Sequence, residues 1–294
     1  GLVGSEMCIR DRFMGNIRII TDSASDMPVD YREDVTVVPL HVRFGTEEYL
    51  DGVNLSHREF YEKLIENEEL PTTSQVAPYA FEDVYKKAGQ AGEQVIVITI
   101  SGKLSGTYQS ACIAASDYED MVHVIDSENV TVGERALVEY AIRLKDAGAD
   151  IDTIVNTIDR EKKNIHVVGL LDTLEYLKKG GRISKTVAFV GGMLSIKPVI
   201  SIEAGEVAML GKARGSKQGN NLLVQQIEKA GGIDFSKPLY LGYAGLDDTL
   251  LQKYITDSTH LWKEHADSLD IMSVGGAIGT HVGPGAIAVA FFAL

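Results

Sequence analysis

The sequence predicts an α/β protein with an N-terminal Rossmann-like domain on a parallel sheet and a C-terminal α+β domain with a mostly antiparallel sheet. Strand and helix signals alternate through the first half, an order that gives parallel strands covered by helices. The run QVIVITI at 94–100 is rich in β-branched residues, as expected for a strand buried on both faces. In the second half, strand-like runs at 196–202 and 206–210 are separated by a short turn, which predicts an antiparallel hairpin.

The elements of the first half follow from hydrophobic spacing and turn signals. Strands are predicted at 17–21, 35–42, 94–100 and 122–126, and helices at 56–70, 78–88, 104–116 and 130–147. Phe60, Leu64 and Ile65 have helical spacing and support the first of these helices. Because ligands bind at the carboxyl ends of strands in open α/β sheets, polar clusters near strand ends are candidate binding residues.

The second half has a different pattern and begins after a long charged helix that ends near 162–164. Strands are predicted at 165–171, 196–202, 206–210, 239–243, 271–274 and 286–292, and helices at 216–230 and 247–258. We therefore expect domains at 14–163 and 164–294. Residues 1–13 lack the apolar core of a signal peptide, and we interpret them as a non-native extension before a natural start at Met14.

Composition narrows the classes of function. The chain has 294 residues, 45% hydrophobic and 24% charged, as in soluble globular proteins, and a net charge of −14 that disfavours nucleic acid and acidic membrane surfaces as partners. No apolar run approaches the roughly 18 residues of a membrane span. Cys8 and Cys112 lack metal or disulfide spacing, which fits a reducing cytoplasm. We expect Cys112 to pack inside a helix as a small apolar residue.

Two polar clusters, TTSQ at 72–75 and SGKLSGTY at 101–108, are the main candidate binding segments. They offer hydroxyls and backbone N–H groups near predicted helix starts, where the helix dipole favours anions. Two such clusters can hold an anionic head group without a metal, which predicts a small carboxylate or phosphate ligand. Each also has an ordinary interpretation: the second cluster is a helix N-cap, and the first is a capped loop.

Three further segments carry polar residues that the sequence allows to be interpreted as either structural or ligand-binding. Gly180 and Gly181 end a predicted helix, and Arg182 either caps carbonyls or reaches an interdomain cleft. Five glycines in residues 275–285 indicate close backbone approach or unusual dihedrals, and His281 among them is a core residue or a site residue. The acidic pairs Asp22/Asp26 and Asp247/Asp248 lack a His or Cys partner at metal-binding spacing, so we interpret them as turn and helix-start residues.

Taken together, these segments resemble the DegV family from residue 17 to the C-terminus. The motifs that carry the resemblance are TDSASD at 21–26, LPTTSQ at 70–75, LSGTYQSA at 104–111, GGRIS at 180–184, IKPV at 196–199 and GTHVGPGA at 279–286. The resemblance implies a carrier without catalytic residues, metal or cofactor, which binds a long-chain fatty acid such as palmitate in an interdomain tunnel. It also implies a partner, an ATP-dependent fatty acid kinase that converts the presented carboxylate to an acyl phosphate for phospholipid synthesis.

The resemblance assigns the head-group contacts to Thr73 and Ser105, and the surrounding polar network to His281 and Arg182. The neighbouring candidates are Ser74, Ser101, Gly106 and Thr280. The sequence departs from the family pattern at Val76, where a proline is usual, at Gly102, where a second serine is common, and at 212–217, which is less basic.

Apolar residues that follow the GGRIS motif are candidates for the tunnel wall, although they are equally compatible with ordinary core. They are Phe189, Val190, Met193, Leu194 and Ile196. Two other functions remain open. One is a serine hydrolase or acyltransferase that uses Ser105 with His281 and Asp22, although the sequence has no GxSxG nucleophile elbow. The other is a binder of a phosphorylated small metabolite, which would need a polar cleft rather than a tunnel.

Overall fold

A computed structural model describes residues 16–183, 196–265 and 269–294. The strands there are β1 (Ile17–Asp22), β2 (Val35–Val38), β3 (His41–Phe44), β4 (Glu47–Leu50), β5 (Thr72–Ser74), β6 (Gln94–Thr99), β7 (Val122–Asp126), β8 (Ile165–Leu170), β9 (Ile196–Glu203), β10 (Glu206–Arg214), β11 (Tyr240–Tyr243), β12 (Asp270–Ser273) and β13 (Ile287–Phe292). The helices are α1 (His57–Glu66), α2 (Pro78–Gln90), α3 (Thr107–Ala115), α4 (Val132–Asp146), α5 (Ile151–Glu161), α6 (Glu175–Lys179), α7 (Gly215–Lys229), α8 (Thr249–Asp257), α9 (Thr259–Trp262) and α10 (Gly276–Val282). A short 3₁₀ turn covers Ser23–Ser25.

The first sheet is parallel and has the strand order β2-β1-β6-β7, which confirms the predicted parallel architecture. Strand β6 is covered on both faces, because alternate residues enter different cores. Val95 and Val97 share a core with Phe81 of α2, whereas Ile96 and Ile98 pack with residues of α4. The continuous β-branched run that predicted this strand therefore reflects burial on both sides.

The predicted strand at 35–42 is in fact two strands. Pro39 lies between β2 and β3 and has no N–H to give to a strand ladder, so the chain leaves the parallel sheet there. Strand β3 joins a separate antiparallel sheet in the order β4-β3-β5. In that sheet Thr73 of β5 lies opposite Val42. The expectation of a capped loop at 72–75 was wrong, because this pairing makes residues 72–74 a strand.

The second sheet is mostly antiparallel, with the strand order β10-β9-β8-β13-β11-β12 and one parallel pair, β11–β12, among the strands described. The antiparallel hairpin β9–β10 is confirmed, and its turn has Ala204 and Gly205 at positive φ. Helices α7 and α8 share a core with one face of this sheet. Helix α4 packs between the other face and the parallel sheet, so the two sheets enclose a common interior.

The glycine-rich segment at 275–285 is mainly a helix, α10, and positive φ occurs only at its end, at Gly283 and Gly285. Within the helix, a Cβ at Gly279 would lie 2.6 Å from the Phe60 ring and 2.8 Å from the Tyr61 hydroxyl. Close approach to α1, rather than unusual dihedrals, therefore explains the glycines inside the helix.

Other expectations have mixed outcomes. Cys112 is a free cysteine on the exposed face of α3, so the expectation that it packs as an apolar residue was wrong. Positions 107, 110, 111 and 114 form the buried face of that helix.

Residues 1–13 and Met14 lie outside the described residues. The domain boundary between 163 and 164 stays a prediction, and it falls between α5 and β8.

Candidate functional site

A cavity of about 940 Å³ lies between the second sheet and the polar segments of the first half. Its walls are mainly apolar, and the wall residues on β8, β9 and β13 are Val167, Gly169, Ile200, Ser201, Ile202, Ile287 and Ala288. Polar side chains cluster in one part of the wall, namely Thr73, Ser74, Gln75, Ser105, Arg182 and His281. The combination suits a ligand with a long apolar part and one polar group.

The polar part of the wall, here called the polar end, combines two hydroxyls and an imidazole. Thr73 Oγ1 lies 2.9 Å from His281 Nε2, within hydrogen-bond distance. The Ser105 hydroxyl lies 2.9 Å from that of Thr107, which in turn accepts the Val76 N–H. These bonds orient the side chains of Thr73 and Ser105, which both line the cavity.

Arg182 fulfils both of the interpretations that the sequence left open. Its Nε donates to the Leu104 carbonyl at 3.2 Å and its Nη1 to the Gly180 carbonyl at 2.7 Å, so it caps backbone carbonyls. It also lines the cavity next to Ser105. The guanidinium links the end of α6 to the loop before α3, two segments about 80 residues apart in sequence, and supplies a positive charge to the polar end.

His281 is a neutral residue at this site. Burial and the nearby Arg182 charge lower the pKa of its imidazole to about 4. Its Nδ1 is buried and has no hydrogen-bond partner within the part of the chain that the structure describes. A neutral imidazole has one donor and one acceptor nitrogen. The Thr73 hydroxyl therefore either accepts a hydrogen bond from Nε2–H or donates one to Nε2, depending on the tautomer.

Two buried carboxylates hold the helix that carries His281. The N–H of Gly275 donates to Asp26 Oδ1 and the N–H of Gly276 donates to Asp51 Oδ1, both at 2.8 Å. Carboxylates at a helix N-terminus satisfy N–H groups that have no partner within the helix. Burial nevertheless raises the pKa of both carboxyls above the usual range, because the charged form loses its hydration there. Asp26 and Asp51 were not expected to act in this way from the sequence.

The structure places three of the candidate residues away from the cavity wall. The buried Ser101 hydroxyl donates to the Gly205 carbonyl in the β9–β10 turn at 2.7 Å. The Thr280 hydroxyl donates to the Gly276 carbonyl within α10. Gly106 packs so closely against Gln75 that a Cβ there would overlap the Gln75 amide. Thr73, Ser74, Ser105, Arg182 and His281, in contrast, are brought together in one wall.

The arrangement of a serine hydrolase is absent at Ser105. Its hydroxyl contacts Thr107 rather than the His281 imidazole, whose Nε2 contacts Thr73. The Asp22 carboxylate is fully buried and accepts the N–H groups of Ala24 and Ile100, which confirms its interpretation as a turn residue. Nucleophile, base and orienting carboxylate therefore do not form a connected series.

The part that most of the expected tunnel residues play in the wall stays a prediction. Phe189, Val190, Met193 and Leu194 lie outside the described residues, and Ile196 begins β9 without lining the cavity. The described wall includes alternate residues of β8, Val167 and Gly169, and the consecutive residues Ile200–Ile202 of β9, which the sequence analysis missed. The period-two pattern of Val167, Gly169 and Leu171 was the available signal, since such residues share one face of a strand.

The described ranges contain neither a metal-binding cluster nor a helix that could cross a membrane. No group of three or more His, Cys, Asp or Glu side chains there could hold a metal ion. Helices of that part of the chain are all too short or too polar to cross a membrane.

A family model described as an uncharacterised protein of the DegV family matches residues 16–294. The chain belongs to the DegV family. A DegV domain-containing protein of Caldanaerobacter subterraneus is 34% identical over 283 residues, which cover 95% of this chain and 99% of the relative. A second such protein, from Deinococcus radiodurans, is 33% identical and covers 94% of this chain and 98% of its own length.

Solved structures of DegV proteins have the same fold. A fatty-acid-binding DegV family protein from Thermus thermophilus superimposes with a TM-score of 0.84 at 32% identity, over 95% of this chain and 99% of the other. DegV of Bacillus subtilis, also described as a fatty acid binding protein, gives a TM-score of 0.78 at 28% identity, with coverage of 95% and 99%. The two-part α/β architecture predicted from sequence is thus confirmed as that of the family.

Proposed function

We propose that this DegV protein binds a long-chain fatty acid such as palmitate in the cavity between the two sheets, with the carboxylate at the polar end. The observation that carries the proposal is the cavity itself, in which apolar walls lead to hydroxyls, a neutral imidazole and one guanidinium. An acyl chain matches the walls, and a carboxylate can accept charge-assisted hydrogen bonds from Thr73 and Ser105. The fatty acids bound by the DegV proteins of T. thermophilus and B. subtilis support the same ligand class.

We further propose that the protein is a carrier, which presents the bound carboxylate to a separate ATP-dependent fatty acid kinase. The kinase product would be an acyl phosphate for phospholipid synthesis. Neutral donors suit this role, because they hold the carboxylate while leaving an oxygen available for phosphoryl transfer. We place the process in the cytoplasm, in line with the free Cys112 thiol. The domain division at 163/164 belongs to the same proposal, with the fatty acid between the two domains.

The unconnected positions of Ser105, His281 and Asp22 disfavour the hydrolase alternative. The apolar walls disfavour a phosphorylated metabolite, because such a soluble ligand would leave most of the cavity surface without a suitable partner. Fatty acid binding is the function that uses both the walls and the polar end.

Mass spectrometry of the purified protein, under native and denaturing conditions, tests the proposal directly. We expect a co-purifying fatty acid in the wild type and its depletion in Thr73→Ala and Ser105→Ala. Loss of a hydrogen bond to a charged group, about 1.5–3 kcal/mol, corresponds to an affinity lower by about tenfold to a hundredfold. Thr72→Ala is the matched control, since Thr72 is exposed on the same strand and does not line the cavity.

Two results would contradict the proposal. One is a wild-type protein that carries no lipid and binds none from a panel of fatty acids. The other is hydrolysis of an activated acyl ester by the protein alone, abolished in Ser105→Ala, which would support the hydrolase.

A further inference from the structure

We propose that Thr107 is a positioning residue, which directs the hydroxyl proton of Ser105 into the cavity and so makes this wall group a hydrogen-bond donor to an anionic head group. The inference rests on the proposed function, because it concerns the same carboxylate. Thr107 begins α3, is fully buried and does not line the cavity. It therefore acts on the ligand only through Ser105, which does line the wall.

The direction of the hydrogen bond between the two hydroxyls follows from the partners of Thr107. A hydroxyl has one proton and two lone pairs. The Val76 N–H donates to Thr107 Oγ1 at 3.2 Å and uses one lone pair. Within the described ranges, the other hydrogen-bond partner of this oxygen is Ser105 Oγ, at 2.9 Å. If Ser105 were the donor, the buried Thr107 proton would have no acceptor, a situation that native proteins rarely contain. Thr107 is therefore the donor and Ser105 the acceptor.

The Ser105 oxygen accepts two hydrogen bonds from the same residue. Besides the Thr107 hydroxyl, the Thr107 backbone nitrogen lies 3.3 Å from Ser105 Oγ and donates its N–H to it. Both lone pairs of Ser105 Oγ are thus used, and its own proton has no acceptor among the described residues. Because Ser105 lines the cavity, this proton is directed toward the ligand. A hydroxyl that accepts hydrogen bonds is also a stronger donor, since linked hydrogen bonds polarise one another.

This arrangement favours a carboxylate over a head group of mixed character. An ionised carboxylate only accepts hydrogen bonds, so it needs the Ser105 proton to point into the cavity. An alcohol both donates and accepts, so it pairs with Ser105 whichever way the serine proton points. Thr107 thus contributes to the choice of head group and not to the affinity for the acyl chain. A residue that merely maintained the shape of the cavity would affect both kinds of ligand equally.

Equilibrium binding of palmitate and hexadecanol to delipidated protein tests the inference. Thr107→Val keeps the branched shape and removes the hydroxyl. We expect its Kd for palmitate to rise about threefold to tenfold, which is the effect of one net hydrogen bond, and its Kd for hexadecanol to stay within about twofold. Thr107→Ser retains the hydroxyl and should restore the wild-type ratio of the two Kd values. Thr107→Cys, whose thiol is a weak donor, repeats the test if Thr107→Val does not fold.

A double-mutant cycle tests whether Thr107 acts through Ser105. In a Ser105→Ala background, Thr107→Val should not weaken palmitate binding any further. Thr99→Val is the matched control, because the Thr99 hydroxyl is also fully buried, has no hydrogen-bond partner in the described part of the chain and does not line the cavity. It should keep the wild-type ratio of the two Kd values.

Two results would overturn the positioning role while leaving palmitate binding intact. One is an unchanged ratio of the two Kd values in Thr107→Val, and the other is an undiminished effect of that substitution in the Ser105→Ala background. Failure of the wild type to bind palmitate would instead overturn the proposed function itself.

Discussion

Two groups of polar residues lie close together in this protein and differ in burial, in charge and in the partners of their side chains. The acidic group, defined as Asp22, Asp26, Asp51 and Glu134, is almost completely removed from solvent. Its described carboxyl oxygens accept mainly backbone N–H groups and hydroxyls, as at Gly275, Gly276 and Ile100. The polar end, in contrast, consists mainly of neutral side chains that face a cavity. The carboxylates thus organise the backbone, whereas the neutral donors remain available to a ligand.

The two groups also respond to burial in opposite directions. Burial raises the pKa of Asp22 to about 7, since the charged carboxylate loses hydration. Burial and Arg182 lower the pKa of His281 to about 4, since the charged imidazolium is disfavoured. Both shifts favour neutral forms in the interior, which suits a site that binds one anion without further counter-charges. Experiments can therefore separate a supporting role from a ligand-contacting role.

The largest effect is expected from removing a supporting carboxylate. In Asp51→Ala, the Gly276 N–H and the Ser23 hydroxyl both lose their acceptor. Each unsatisfied buried group costs about 1–3 kcal/mol, so we expect the free energy of unfolding to fall by about 4 kcal/mol. Urea unfolding measures this change. Because α10 carries His281, palmitate binding should weaken as well.

Asp51→Asn is the control for charge, since its side-chain oxygen can still accept the Gly276 N–H. We expect its free energy of unfolding to fall by about 1–3 kcal/mol, less than in Asp51→Ala, because the Gly276 N–H keeps an acceptor and only the Ser23 hydroxyl loses one. If Asn is as damaging as Ala, the charge of Asp51 matters more than its hydrogen bonds, and the contrast between the two groups is weaker than we infer.

The second prediction concerns pH and the opposite shifts. A histidine with a lowered pKa stabilises the fold above its unfolded pKa of about 6.5, and this contribution is lost as the pH falls through about 4. Asp22, with a raised pKa, contributes stability below about 3.8 that is lost as the pH rises through about 7. The wild type should therefore show only a shallow net dependence from these two groups, because their slopes oppose each other.

The variant His281→Asn reveals the contribution of His281 to the pH dependence of the free energy of unfolding. Relative to the wild type, its free energy of unfolding should increase by about 3 kcal/mol between pH 7 and pH 4. The reason is that the variant has no imidazole that must stay neutral in the folded state as the pH falls. Urea unfolding of delipidated protein at several pH values measures the difference. A difference that does not change with pH would mean that His281 titrates as an ordinary exposed histidine.

The sequence was sufficient to predict those parts of the fold that depend on local pattern. The residues 94–100 and the hairpin after 196 were predicted because their apolar spacing reflects burial directly. The division of 35–42 into two strands was missed, since the pattern before and after Pro39 is equally β-like and only the choice of partner strand differs. Partner choice depends on residues distant in sequence, which a local pattern does not contain.

The same limit applies to the site. Thr73, Ser105, Arg182 and His281 came from motifs, and the structure brings them into one wall. The support of α10 by Asp26 and Asp51 could not be predicted, because each bond joins residues more than 220 positions apart. Helix α10 itself was obscured by glycines whose reason, close packing on Phe60 and Tyr61, is a tertiary contact.

The smallest effect is expected at Ser101, which tests whether a residue next to the polar end belongs to it. The Ser101 hydroxyl joins the loop before α3 to the β9–β10 turn, where Gly205 approaches so closely that a Cβ would lie 2.5 Å from Oγ. Ser101→Ala should reduce the free energy of unfolding by about 1 kcal/mol and change the Kd for palmitate by no more than about twofold. Ser116→Ala removes a similar hydroxyl-to-carbonyl bond that is exposed and local, and it should change stability less. If Ser101→Ala instead weakens palmitate binding as strongly as Ser105→Ala at unchanged stability, Ser101 contacts the ligand. Ser101 would then belong to the ligand-contacting residues, and the loop before α3 would contain more of them than we infer.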